Sequence, residues 1–204
     1  MSRDDKPLEF DEAFLARLRR HEERAFNELV LGYEERVHRL VWRMLGNDAE
    51  SEDVTQEVFV QVFRSLESFR GDSKLSTWIY RIAVNLTKNR SKYLKRRHRD
   101  SHGDIDGKEP SLDHHRAIGV TSGETSRPDQ VAQGHEAERV VRQCLDLLDE
   151  DFREILVLRD VEGMSYEEVG AITELAEGTV KSRLHRARSE LRRMVEERLG
   201  GPLP

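Results

Sequence analysis

Apolar residues recur along this chain at the three- and four-residue intervals of helices that bury one face. Residues 11 to 45 read as two helices, with Phe14, Leu15 and Leu18 on the first. Phe26, Leu29, Val30, Tyr33, Val37, Leu40, Val41 and Leu45 mark the second. Gly46 stops it, and Asn47 with Glu50 has the spacing of a capping box, imperfect because Asn stands where Ser or Thr is usual. Val54, Val58, Val62 and Leu66 then form a row at four-residue steps, beside Asp53, Gln56 and Glu57. A polar, glycine-containing loop from Phe69 to Ser76 leads to another helix. Trp78, Ile79, Ile82, Ala83 and Leu86 make its apolar side, while Arg81, Asn85, Lys88, Asn89 and Arg90 must point largely elsewhere.

The pattern lapses from His98 to Gly134. Large apolar residues are few there, Gly, Ser, Asp and His are many, and Pro110 and Pro128 interrupt any helix. These 37 residues (98–134) read as a flexible linker between a domain at 11–97 and a second at 135–199. A Gaussian chain of that length spans about 35 Å, or roughly ten base pairs of DNA.

Helical periodicity resumes through Val140, Leu145, Leu148, Ile155, Leu156, Leu158 and Val161. Ser165 and Glu168 then have full capping-box spacing, which opens a short helix from Tyr166 to Ile172. A polar turn, Thr173 to Glu177, leads through Gly178 to a longer helix whose inward face is Val180, Leu184, Ala187 and Leu191. Helix, short turn and helix at this spacing is a helix-turn-helix. Its second helix leaves Thr179, Lys181, Ser182, Arg183, His185 and Arg186 available near its start, where such helices touch base edges and phosphates. The expected fold is all-α, two small helical domains and a linker.

Charge sharpens this picture. The net charge of −6 over 204 residues argues at first against a nucleic-acid partner. Its distribution reverses that: Arg81 to Asp100 holds eight Lys or Arg against one acid, and Gly178 to Arg193 holds six against one. Asn47 to Glu57 holds five acids and no base. Two basic patches and one acidic patch call for partners of opposite charge.

Several function classes fall away. No apolar run is long enough to span a bilayer and the N-terminus lacks a signal-peptide core, so the protein is expected in the cytoplasm. The single cysteine, Cys144, can form neither an internal disulfide nor a multi-thiolate zinc site and reads as a buried helix position. His98, His102, His114 and His115 fall in the linker without matching Cys or an HExxH helix, and are expected to be solvated. No phosphate loop, nucleophile elbow or convincing acid–base pair is present, so no catalytic centre, metal or cofactor is expected.

Three stretches carry a family likeness: DVTQE, FRGDSKLSTWIYRIAVN and SYEEVGAITELAEGTVKSRLHRAR. They resemble conserved regions 2 and 4 of the extracytoplasmic-function (ECF) sigma factors, in the family's order and closest to its RpoE-type group. The resemblance implies a promoter-specificity subunit of RNA polymerase, with core polymerase and promoter DNA as partners and no small-molecule substrate. By that likeness Asp53, Gln56 and Glu57 engage the β′ coiled coil, with the β subunit as a further contact. Phe69, Gly71, Asp72, Ser73, Lys74, Leu75, Ser76, Tyr80, Asn85, Lys88 and Asn89 would hold the unpaired strand of the −10 element. Trp78 is expected in the core, with Phe69 and Tyr80 nearer the DNA. Thr179, Lys181, Ser182, Arg183, His185 and Arg186 would read the −35 element, Arg183 foremost. The chain is also expected to lack an N-terminal inhibitory extension and to end in a short tail, GGPLP. The family likeness then implies control by an anti-sigma factor, often one held in the inner membrane. On the residues alone two other readings stay open: a helix-turn-helix regulator that never joins polymerase, and a small metallohydrolase using the linker histidines.

Overall fold

The computed structural model describes residues 12–101 and 139–201, and among these every regular element is helical. Helix α1 (Glu12–Arg19) leads into α2 (Glu23–Leu45), which ends where Gly46, at φ 68°, turns its N–H back to the Trp42 carbonyl at 2.8 Å. The Asn47 side chain caps α3 (Asp48–Ser65) by accepting from the Glu50 N–H at 3.0 Å. Only that half of the expected box forms, because the Glu50 carboxylate turns to Arg90 of α4 (Leu75–Ser101).

Helices α2, α3 and α4 form a bundle around Leu29, Tyr33, Val37, Val54, Val58, Val62, Ile79 and Ala83, all buried. Each such aliphatic residue contributes about 1.5–3 kcal/mol relative to exposure. Buried hydroxyl residues within the bundle leave no unmet donor. Thr55 bonds the Ser51 carbonyl at 2.7 Å, and Thr87 bonds that of Ala83 at 2.7 Å.

The expected boundary at Arg97 falls inside α4, which runs on to Ser101 because nothing in HRDS opposes a helix and the first Gly comes at 103. The rest of the expected linker, with His102, His114 and His115, lies outside the described residues; His98 is an exposed residue of α4.

The second half begins with α5 (139–147), in which Cys144 packs against Val140 and Val195. Asp149 caps α6 (Glu150–Leu156), which continues as a π turn over Val157–Val161. Ser165 and Glu168 form the full capping box, at 3.1 and 2.9 Å, that opens α7 (Tyr166–Thr173). The turn into α8 (Glu177–Leu199) uses Glu174 in the left-handed region at φ 59°. Gly170 makes this turn possible: a Cβ there would stand 2.8 Å from the Leu175 carbonyl oxygen.

The two halves abut, and a single cluster of buried side chains runs from Phe14 through Ile79 to Leu184. Arg153 fastens the seam, donating across it to the Met44 carbonyl in the last turn of α2 at 2.8 Å and, within its own half, to the Leu145 carbonyl at 2.8 Å. Arg43 meets Glu162 across the same seam at 2.7 Å.

Candidate nucleic-acid and protein interfaces

Along α3, Asp53, Gln56 and Glu57 are all exposed, on the side opposite Val54, Val58 and Val62. With Val60, Gln61, Arg64 and Leu86 they line an open groove of about 440 Å³. Arg90 reaches over from α4 to pair with Glu50 and Glu57, and lies 3.8 Å from Asp53. The sequence left Arg90 among the outward bases of α4; its place is on the acidic face, where it balances part of the charge.

The loop before α4 needs glycine at Gly71 for its backbone, φ 83°, since a Cβ there would meet nothing within 4 Å. Asp72, Ser73 and Lys74 are exposed at its tip, while Ser76 is half-buried and hydrogen-bonded to Tyr33. Leu75 is buried.

The expectation that Phe69 and Tyr80 face the DNA needs correction. Phe69 and Tyr80 are both interior, each 6% exposed, while Trp78 is half-buried and packs against the core. Phe69 lies under the loop, its ring 5.1 Å from Trp78, and Tyr80 stands edge-on to Tyr33 at 6.4 Å. Burial, with the Glu162 charge added, pushes the Tyr80 phenol well up from its ordinary range. For Tyr80 the cause is that α4 is covered on two sides, by α2 and α3 and by the second half, so residues beside its main apolar stripe are enclosed too.

Asn85 and Asn89 are exposed one turn apart on α4, without a hydrogen-bond partner among the described residues. Lys88 lies between them in sequence but turns to the second half, its Nζ 2.9 Å from Glu154 and 3.8 Å from Asp151. Glu154 is 3% exposed; burial pushes its carboxyl up, and Oε1 has no hydrogen-bond partner. Lys74 reaches Glu168 at 2.9 Å.

On α8, Thr179, Lys181, Ser182, His185 and Arg186 are exposed along the first three turns. Lys181 pairs with Glu177 and lies over the Tyr166 ring at 5.2 Å. Arg183 is half-buried and donates to Asp151 at 3.1 Å, so it is held within its own half. Arg186 makes no ion pair among the described residues. Sequence reasoning missed Gly170 and Arg153. A glycine inside an apolar helical run was a signal for the first, and nothing local marks the second.

Among the described residues no three His, Cys, Asp or Glu side chains gather as a metal group, and no helix is long and apolar enough to cross a membrane. The arrangement is chemically suited to binding: one acidic groove, one amide-bearing basic face and one exposed helix start.

Residues 29–99 match the family described as Sigma-70 region 2, and residues 138–191 match Sigma-70, region 4. The RNA polymerase sigma-H factor of Pseudomonas aeruginosa is 36% identical over 188 residues, 92% of this chain and 95% of that protein. The ECF RNA polymerase sigma-E factor of Escherichia coli is 37% identical over 187 residues, 91% of this chain and 94% of that protein. Two solved structures share the fold. The sigma factor RpoE of Bartonella quintana, in complex with the anti-sigma factor NepR, has a TM-score of 0.65 at 24% identity, covering 84% of this chain and 96% of that one. CnrH, in complex with the cytosolic domain of CnrY, has a TM-score of 0.63 at 22% identity, covering 92% and 97%.

Proposed function

This chain belongs to the ECF RNA polymerase sigma factors of the sigma-70 family, and from that premise we propose which of its surfaces meets which partner. As a sigma factor it serves core RNA polymerase in promoter-specific initiation. The groove beside Asp53, Gln56 and Glu57 takes a basic segment of core polymerase, the β′ coiled coil. Carboxylates and an amide on one helical face suit charge-assisted hydrogen bonds to Arg, and Val60 and Leu86 supply apolar floor. The loop Gly71–Ser76 and the Asn85 and Asn89 amides hold the unpaired −10 strand. Extruding a base costs a few kcal/mol, which polar edge contacts and phosphate neutralisation must offset. The start of α8 enters the major groove at the −35 element.

The observation that carries this division is that opposite chemistries lie on neighbouring helices of one bundle. Acidic α3 and amide-bearing α4 both present exposed residues, and Arg90 of α4 pairs with Glu50 and Glu57 of α3 between them. No step needs covalent chemistry by this chain. The RpoE neighbour was captured with an anti-sigma factor, and the same class of partner is proposed here. If membrane-held, it would keep a chain with no spanning helix of its own among the described residues at the membrane's cytoplasmic face.

The test is capture of core polymerase by the purified chain, followed by run-off transcription. Promoter-dependent transcripts from the reconstituted enzyme are expected. A folded chain that binds promoter DNA but not core polymerase would be a helix-turn-helix regulator instead.

A further inference from the structure

The acidic groove along α3 already holds a cation of the chain's own. Asp53 and Glu57 line its opening with side chains 68% and 52% exposed, and Leu86 of α4 forms part of its wall. Arg90 lies one turn beyond Leu86 on the same helix, its side chain only 20% exposed. One guanidinium nitrogen donates to Glu50 at 2.5 Å and the other to Glu57 at 2.5 Å, and the first also stands 3.8 Å from Asp53. Arg90 thus spans an inner acid and two outer ones.

The inner and outer acids hold it differently. Glu50 does not line the groove, and its side chain is 24% exposed. The Arg90–Glu50 bond is foremost among the interactions that raise the guanidinium above its ordinary range. Glu57 faces water, and an ion pair with an exposed acid contributes little and gives way when another cation competes for the same carboxylate. The planar fork of arginine is what lets one side chain serve both acids at once.

We propose that Arg90 is a resident competitor in this groove: it holds Glu57 in the free chain, the incoming basic segment of core polymerase takes that carboxylate over, and Arg90, still tethered to Glu50, thereby sets how tightly the chain joins core. The inference rests on the assignment of the groove to that basic segment. A guanidinium seated on Glu57 fills one carboxylate oxygen and repels a second cation. The acids are therefore offered to the partner at reduced strength. Arg90 acts from the chain's own side and touches the partner only through the acid they contest.

The experiment titrates the full chain, its Arg90→Gln variant and its Arg90→Lys variant against purified core polymerase without DNA. Competition with a labelled reference sigma factor gives the affinity at several salt concentrations, and melting curves report the fold. Arg90→Gln should join core about fivefold more tightly at low salt, the most that one exposed ion pair contributes. That gain should shrink as salt screens it. Arg90→Lys, whose single ammonium stays with Glu50, should fall between the parent and Arg90→Gln. In a Glu57→Ala background, which removes the contested carboxylate, most of the gain should vanish. A folded Arg90→Gln variant that binds core no more tightly than the parent overturns the competition, and weaker binding makes Arg90 a strut for the acids instead. A gain that ignores salt, or that Glu57→Ala leaves undiminished, overturns it as well. If Arg90→Gln does not fold, Arg90→Lys decides: binding no tighter than the parent's overturns the competition. The groove itself is tested by replacing Asp53, Gln56 and Glu57 together with Ala. Parental affinity in that triple variant removes the groove from core binding. Weakened affinity there, with Arg90 variants that bind like the parent, counts against Arg90 alone.

Discussion

Arg183 of the recognition helix donates to Asp151 at 3.1 Å, whereas Arg186, three residues on, is exposed without an ion-pair partner among the described residues. The arginine that the sequence put foremost for base reading is tied to its own half, and the free one is the other. We therefore propose Arg186, rather than Arg183, as the arginine that reads base edges.

Arg186→Ala should relax discrimination among −35 variants by about 1–3 kcal/mol, the range for a bidentate base contact. Arg183→Ala should instead lower thermal stability slightly, by about 1 kcal/mol or less after solvent screening of a pair that is partly exposed. Binding titrations on matched and scrambled −35 duplexes, with a melting curve for each variant, give both quantities. Equal discrimination by the parent and the Arg186 variant would remove Arg186 from base reading.

Replacing Asp53, Gln56 and Glu57 together by Ala should weaken binding to core polymerase while leaving the fold intact. Exposed polar groups rarely cost more than about 0.5 kcal/mol each in stability. Reversal of charge, as in Glu57→Lys, should cost more affinity than Ala, because it repels a basic partner. Competition against a labelled reference sigma factor measures this, and unchanged affinity in the folded triple variant would refute the assignment.

Asn85→Ala with Asn89→Ala should impair promoter opening more than initial duplex binding, since these amides are proposed to meet DNA only once a strand is free. Permanganate reactivity of unpaired thymines reports the opening, and a mobility shift at low temperature reports the binding. Opening at the parent's level on linear promoter DNA would end the strand-capture role.

Gly170→Ala should destabilise region 4, because the new methyl would press on the backbone carbonyl of Leu175, which has no freedom to rotate away. Overpacking of this kind costs about 1–3 kcal/mol, and each kcal/mol lowers Tm by about 2–4 °C in a chain of this size. Calorimetry would show it. A variant as stable as the parent would mean that the turn relaxes at little cost.

The elements that a sequence encodes locally were legible here. The Val54, Val58 and Val62 row is buried as its spacing required, and Ser165 and Glu168 form both bonds of their box. Phe69 was misread within its own half, where it packs on Trp78, but the surroundings of Tyr80, Lys88 and Arg153 also depend on a second half far along the chain. Tyr80 stands edge-on to Tyr33, which spacing on α4 does not exclude, and feels the charge of Glu162. Lys88 looked like a free cation, but its acids come 63 and 66 residues later, and no local pattern records a pairing over that distance. Arg153 is invisible for the same reason: its acceptors are backbone carbonyls, which carry no residue signature at all.

Glu168 serves two masters at once. It returns the capping bond to the Ser165 N–H at 2.9 Å within region 4 and receives Lys74 of region 2 at 2.9 Å. Burial opposes its charge, but the Ser165 N–H and Lys74 together hold its carboxyl below the usual range. Of these contacts only the Lys74 bond crosses the seam; the cap, the turn at Glu174 and the Gly170 contact all lie within region 4. The start of α7 is therefore complete within region 4 and needs nothing from region 2 to hold its shape.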